Sequence, residues 1–294
     1  MTDNVAETPT SGVLSFIDNP VQTLTIEQLR LTADERTTRQ DYMNGIAHYQ
    51  LIDKIAEIVE TGNLKHVVDI IYAADNKNRV LPGVTVLPLA QEKYGMNSLE
   101  SHILRRISGK ILIKDMATDE SVGSIAMSFH QQGIQVAFGQ NVTVCSNMCI
   151  FGDNIIYSYG SNSMPLDKMF NVVRDWVANY SDMRAFDLKV MNRMKTILID
   201  PVKELPELIG NLQIEAVNAA YRKSNVVPPL NISQISTFTK NAMDKIDELG
   251  GKMTSLWQLY NMATELHKPG VTDFPNILPA NRNFGNFIIR HFNL

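Results

Sequence analysis

The spacing of apolar residues changes twice along this chain, dividing it into helical, extended and again helical stretches. Ile46, Tyr49, Ile52, Ile55, Ala56 and Val59 recur every three or four positions before Gly62, as one face of a helix does. Thr25 and Gln28 have the form of a capping box, in which each side chain accepts the other residue's backbone N–H. Two helices are therefore expected between Leu24 and Thr61. After Gly62 the period shortens to two. Val67–Tyr72, Val80–Leu89, Ile103–Ile113, Ser121–His130, Ile134–Cys145 and Ile155–Tyr159 read as strands, punctuated by Asp75-Asn76, Pro82-Gly83, Gly95, Asp119-Glu120 and Gln132-Gly133. Such a succession predicts an antiparallel meander, whose clearest hairpin joins Ser121–His130 to Ile134–Cys145 through Gln131-Gln132-Gly133.

From Pro165 the helical period returns. Leu166, Met169, Val173, Trp176, Tyr180, Met183, Val190, Met194 and Ile197 form a heptad-like stripe, with Asp187 as its polar interruption, up to the Asp200-Pro201 break. A single helix of about nine turns is predicted. Its stripe is either a strut packed across the sheet or a seam between two copies of the chain. Further helices are expected at 202–222, 233–248 and 253–267. The tail from Pro269 to Leu294 holds three prolines and four phenylalanines and reads as irregular chain. The expected fold is α+β: a central antiparallel sheet flanked by N-terminal helices and a C-terminal helical region with one long helix. Four segments result: an acidic helical segment (1–62), a sheet region (63–162), a helical region packed on the sheet (163–268) and the Phe-rich tail (269–294).

Composition narrows the class. With 294 residues, 44% of them hydrophobic, the chain can bury a sizeable core and is not intrinsically disordered. The net charge of −4 is unevenly spread, with ten acidic and four basic residues in 1–64. A chain-wide basic surface of the nucleic-acid-binding kind is therefore not expected. Arg105, Arg106, Lys110 and Lys114 form one local cluster, either a solvated strand face or a phosphate track. No run reaches the roughly 18 apolar residues of a membrane span. The first residues lack a basic and an apolar signal region, so the expected location is the cytosol, with no membrane partner. There Cys145 and Cys149, placed by strand alternation on one face, are expected as free thiols.

Candidate chemistry is sparse. Two cysteines and six histidines without His-x-x-x-His spacing give no convergent metal ligands. Cys145 could pair with His130 or His267, but it falls in an apolar strand rather than the electropositive setting that a thiolate needs. Gly109-Lys110 lacks the preceding glycine of a phosphate loop and leads into a strand. The expectation is a non-enzymatic protein without metal or cofactor. Trp257, Tyr260, Asn261, Thr264 and His267 or Lys268 share a helix face. That stripe is either a docking face on the sheet or a platform for a ligand or nucleotide.

Val142-Thr143-Val144-Cys145-Ser146-Asn147-Met148 and the segment Ser255–His267, with Trp257, Asn261, Thr264 and Glu265, resemble elements of the phage/plasmid-like family of unknown function (domain-of-unknown-function family 932). The resemblance covers roughly residues 65–267 and implies an α+β protein encoded by a mobile element, with no settled activity. Two functions follow as expectations. One is a phage-encoded interaction protein, oligomeric and non-enzymatic, that inhibits a host anti-phage defence complex; a Gabija-like nuclease system is the best named target. Phe284, Phe287 and Phe292 are its candidate contacts, against the alternative that they tack the tail to the body. The other is a single-stranded nucleic-acid binding or annealing protein of phage recombination, using Arg105, Arg106, Lys110 and Lys114.

Overall fold

The structure, a computed structural model, describes residues 21–32, 46–74, 84–86, 88–95, 98–130, 133–143, 148–159, 164–222 and 226–294. Three long antiparallel strands form its centre: β6 (Ile107–Ile113), β7 (Ser121–His130) and β8 (Gly133–Val142), with Ile111 opposite Ile125 and Ile125 opposite Phe138. The predicted hairpin is present, and His130 pairs directly with Gly133. Each outer side of this trio is met by a strand in two pieces. β2 (His66–Val68) and β3 (Ile71–Ala74) both pair with β6; β9 (Met148–Cys149) and β10 (Ile155–Tyr159) both pair with β8. β1 (Val21–Leu24), a strand the sequence pattern did not reveal, adds antiparallel to β3. Two small ribbons stand apart: β4 (Val84–Val86) with β5 (His102–Leu104), and β11 (Leu198–Ile199) with β12 (Thr254–Ser255).

Every residue of β7 and β8 is buried, so the sheet is covered on both faces. Alternation sorts the side chains sharply. One face carries Ile107, Ile111, Ile125, Met127, Phe129, Val136 and Phe138, which pack against Leu51, Ile52 and Ile55 of α2 (His48–Thr61) and Met169, Val173 and Trp176 of α4 (Leu166–Ala178). The opposite face carries Ser108, Ser124, Ala126, Ser128, Gln135, Ala137 and Gly139. On it lies the start of α9 (Phe274–Phe292), contributing Phe274, Ile277 and Leu278. A further core unites α5 (Tyr180–Thr196), α6 (Glu204–Tyr221), α7 (Ile232–Glu248), α8 (Leu256–Glu265) and the end of α9 around Phe238, Tyr260 and Phe284. The remaining helices are α1 (Ile26–Leu31), with the predicted Thr25–Gln28 capping box, and α3 (Pro88–Tyr94). No described helix is long and apolar enough to cross a membrane.

Several expectations need correction. The single long helix is two, α4 and α5, divided at Asn179, whose ψ of 16° and side-chain bond to the Asp175 carbonyl end the first. Its stripe is a broken strut: Met169, Val173 and Trp176 enter the sheet core, whereas Val190 and Met194 enter the helical core. Both halves of the stripe pack within this chain's own cores. Ile103–Ile113 is interrupted at Arg105-Arg106, and Pro88 and Leu89, read as the end of the Val80–Leu89 strand, instead begin the helix Pro88–Tyr94. β8 ends at Val142, and Cys149 lies on a separate strand that returns antiparallel opposite Gln140. Cys145 and Asn147 lie outside the described residues; Cys149 is buried and forms no disulfide.

The tail is not irregular but the longest helix among those described. Pro275 occupies the first turn, where its missing N–H costs nothing. Pro279 sits inside and cannot donate to the Pro275 carbonyl. Gln135 of β8 replaces that bond, its Nε2 donating to Pro275 O at 2.7 Å, and Ser128 Oγ donates to Phe274 O at 3.3 Å. Further along, a Cβ on Gly285 would stand 2.1 Å from the Ile150 carbonyl oxygen, so only glycine permits this approach. Phe284 and Phe287 are consequently buried and Phe292 is partly buried against the same core. The proposed contact residues are packing residues, because they fall on the inward face of a helix.

Candidate functional site

The polar face of the sheet is not fully covered by α9. Between β3, β6 and β7 on one side and the α8–α9 connection on the other lies a cleft of about 390 Å³. Its floor comes from the sheet: Tyr72 and Ser108 are cross-strand partners, and Lys110 follows two residues along β6 on the same face. Thr264, His267, Lys268 and Asn281 form the opposite wall, and Ile70, Ala126, Met148, Ile277 and Leu278 supply apolar lining. The sequence presented Lys110 and the Thr264–Lys268 stripe as unrelated features; folding brings them to one cavity.

Each polar group has a defined state. Lys110 Nζ donates to Asn141 Oδ1 at 2.6 Å and lies 3.7 Å from Asp69 Oδ2, with its side chain only 13% exposed. Lys268 pairs with Glu265 at 2.5 Å. The hydroxyls of Tyr72 and Ser108 bond to no described residue. His267 is buried, and burial pulls its pKa down to about 4 despite its bonds to Pro229 and Asn281. The ring is therefore neutral at pH 7. Since a carbonyl only accepts, the ring proton is on Nε2, 2.8 Å from Pro229 O. Nδ1 is then an acceptor facing another acceptor, Asn281 Oδ1, at 3.4 Å. The Asn281 amide nitrogen is committed to Ile277 O at 2.9 Å.

The other basic candidates do not join this cleft. Arg106 is 3% exposed and lies 3.9 Å from Asp273, the residue preceding α9. Arg105 is half-buried, while Lys114, just past the end of β6, is exposed. Arg105 and Arg106 precede β6, so of these four basic residues only Lys110 lies on the strand itself. Among the family-like residues, Trp257 stacks on Tyr260 with ring centroids 5.8 Å apart, Thr264 bonds the Asn261 carbonyl within its own helix, and Glu265 serves Lys268.

Behind the aliphatic face lies a polar network that the sequence reading did not find. Arg184 and Asp187 of α5 are both buried. Arg184 donates to the Ser121 carbonyl at 2.8 Å and to the Gln140 amide oxygen, while Gln140 Nε2 donates to Asp187 at 2.5 Å. Burial pushes the Asp187 carboxyl up to about 7, although Gln140 and Arg184 both favour its charged form. Tyr180, pushed up to about 12 by burial, donates to the Asp115 carbonyl at 2.6 Å. The available signal was Asp187 itself, a carboxylate standing within an apolar stripe with an arginine three residues before it.

One surface is apolar where solvent should meet polar groups. α6 buries Leu205, Leu208, Leu212 and Ala216, yet its outer side shows Ile214, Val217 and Tyr221 at 58%, 42% and 83% exposure. These residues lie three and seven positions apart, on one face. Among the described residues no group of three or more His, Cys, Asp or Glu is placed to hold a metal. Compared with models of known protein families, with curated proteins and with solved structures, the chain matches none.

Proposed function

We propose that this chain is a non-enzymatic interaction protein that works by binding a protein complex through the outer face of α6. The observation that carries the reading is that α6 is apolar on two sides. A helix apolar all round belongs in an interior, and only one side of α6 faces this chain's core. Ile214, Val217 and Tyr221 have the composition of a contact anchor, a large aromatic flanked by aliphatics. The resemblance of residues 142–148 and 255–267 to the phage/plasmid-like family directs the partner towards a host anti-phage defence complex, of which a Gabija-like nuclease is the named target. Coverage of a functional surface would be the mode of inhibition, and self-association through α6 would provide the oligomer.

The test uses tagged full-length protein expressed in cells carrying the defence system. Stoichiometric co-purification of the complex, together with restored phage growth, is expected. Both should be lost in Ile214→Asp/Tyr221→Asp, which touches no buried contact. Light scattering on the purified protein separates self-association from hetero-binding, since a lone chain weighs 33.0 kDa. Absence of any stoichiometric partner, or unchanged capture by the double variant, overturns the reading.

A further inference from the structure

We propose that the cleft between the polar sheet face and the α8–α9 connection is a binding site for a nucleoside monophosphate. The volume, about 390 Å³, lies in the range of small-molecule sites. Three features define the ligand's chemistry. First, two acceptors converge without a donor between them: His267 Nδ1 and Asn281 Oδ1, in side chains 1% and 2% exposed on the cleft wall. A ligand amino group donating to this pair removes their mutual repulsion, and the amino-bearing nucleobases carry such a group. Second, Tyr72, Ile70, Met148 and Leu278 supply apolar lining on which a heterocyclic ring can pack. Third, Lys110 and Lys268 supply ammonium groups, and the Ser108 and Tyr72 hydroxyls have no bond to a described residue.

Charge limits the anion. Lys110 stands 3.7 Å from Asp69 and Lys268 stands 2.5 Å from Glu265, so the cleft's two positive charges already have two carboxylates nearby. One phosphate can draw Lys268 away from the partly exposed Glu265; a triphosphate would bring charge that nothing here balances. The site thus selects a monophosphate attached to an aminated base, whether free in solution or at the end of a single strand.

Calorimetric titration of the full-length protein with adenosine 5′-monophosphate is the experiment. Saturable one-to-one binding is expected, weaker by about tenfold or more in Lys110→Met and in Lys268→Met, as for loss of a charge-assisted bond. Leu278→Trp, which fills the cavity, should abolish binding; circular dichroism reports whether each variant remains folded. Lys268 is a surface residue, so its variant keeps the test valid if Lys110→Met unfolds. Inorganic phosphate and inosine 5′-monophosphate, which lacks the amino group, should both bind more weakly. A short oligonucleotide with a terminal phosphate distinguishes the sources: binding equal to the mononucleotide assigns strand ends, and no binding assigns the free nucleotide. Absence of saturation at millimolar mononucleotide, or binding that Lys268→Met and Leu278→Trp both leave unchanged, overturns the proposal.

Discussion

β7 turns Ile125, Met127 and Phe129 to one side and Ser124, Ala126 and Ser128 to the other, and both sides are buried. The aliphatic side is held by interdigitation with α2 and α4, in the manner of an ordinary core. On the small-residue side, the α9 backbone comes close enough for Ser128 and Gln135 to bond its carbonyls. Burial is thus reached in two ways on one sheet: by filling volume where side chains are large, and by direct polar contact where they are small. The cleft lies on the second.

The difference can be broken most strongly from the aliphatic side. Phe138→Ala removes a ring 1% exposed between Trp176 and Tyr180 and should cost about 3–5 kcal/mol, measured by denaturant unfolding. A result under about 1 kcal/mol would mean the face collapses around the gap. From the small-residue side the sensitive change is an addition. Gly285→Ala places a methyl against the Ile150 carbonyl and should cost about 3 kcal/mol, by overpacking rather than by a cavity.

The two sides also differ in their response to pH. Asp187, behind the aliphatic face, has its pKa raised from 3.8 to about 7, so the folded state binds a proton more tightly than the unfolded chain. Its contribution is complete below about pH 4 and is lost as pH rises towards 7. His267, beside the small-residue face, is lowered from 6.5 to about 4; its contribution is present above pH 6.5 and lost as pH falls to 4. Over the shared window these slopes oppose each other. Asp187→Asn should therefore leave stability rising with pH between 4 and 6.5, and His267→Gln should leave it falling, each by up to about 3 kcal/mol. Melting curves across that range check both signs; parallel profiles in the two variants would refute them.

Gln135→Leu tests the polar contact itself. It strands the Pro275 carbonyl and should cost about 2 kcal/mol, whereas the isosteric Gln135→Glu, unable to donate when ionised, should cost at least as much. The smallest effect belongs to the surface. Ile214→Asp, outside both faces, should change stability by no more than about 0.5 kcal/mol, and a larger loss would place Ile214 in a fold contact.

What was legible follows the same division. The β7–β8 hairpin was visible because Gly133 marks a turn between two strand-like runs, and α1 because Thr25 and Gln28 name their own bonds. α9 was hidden by Pro279 and Gly285, each a breaker locally; the bond that Pro279 cannot make is supplied by β8 and the space at Gly285 is taken by Ile150, both distant in sequence. The break at Asn179 was hidden because the apolar period runs through it while the two halves serve different cores. For the cleft, Lys110 and His267 were individually noticed, but nothing in their spacing could signal that they meet.

The bond from Gln135 to Pro275 has a consequence for synthesis. A helix with an interior proline lacks one of its own bonds, and α9 recovers the equivalent only from β8. It is thus poorly stable until the sheet is assembled. During translation β7 and β8 leave the ribosome well over a hundred residues before α9 is complete, and the serines, alanines and glycines of their small-residue face wait uncovered. An exposed surface of that kind is a poor template for aggregation, whereas an uncovered aliphatic face would be a good one. The order of the chain suits this risk: α2 precedes the long strands, α4 follows soon after β10, and the face left open longest is the one that tolerates water.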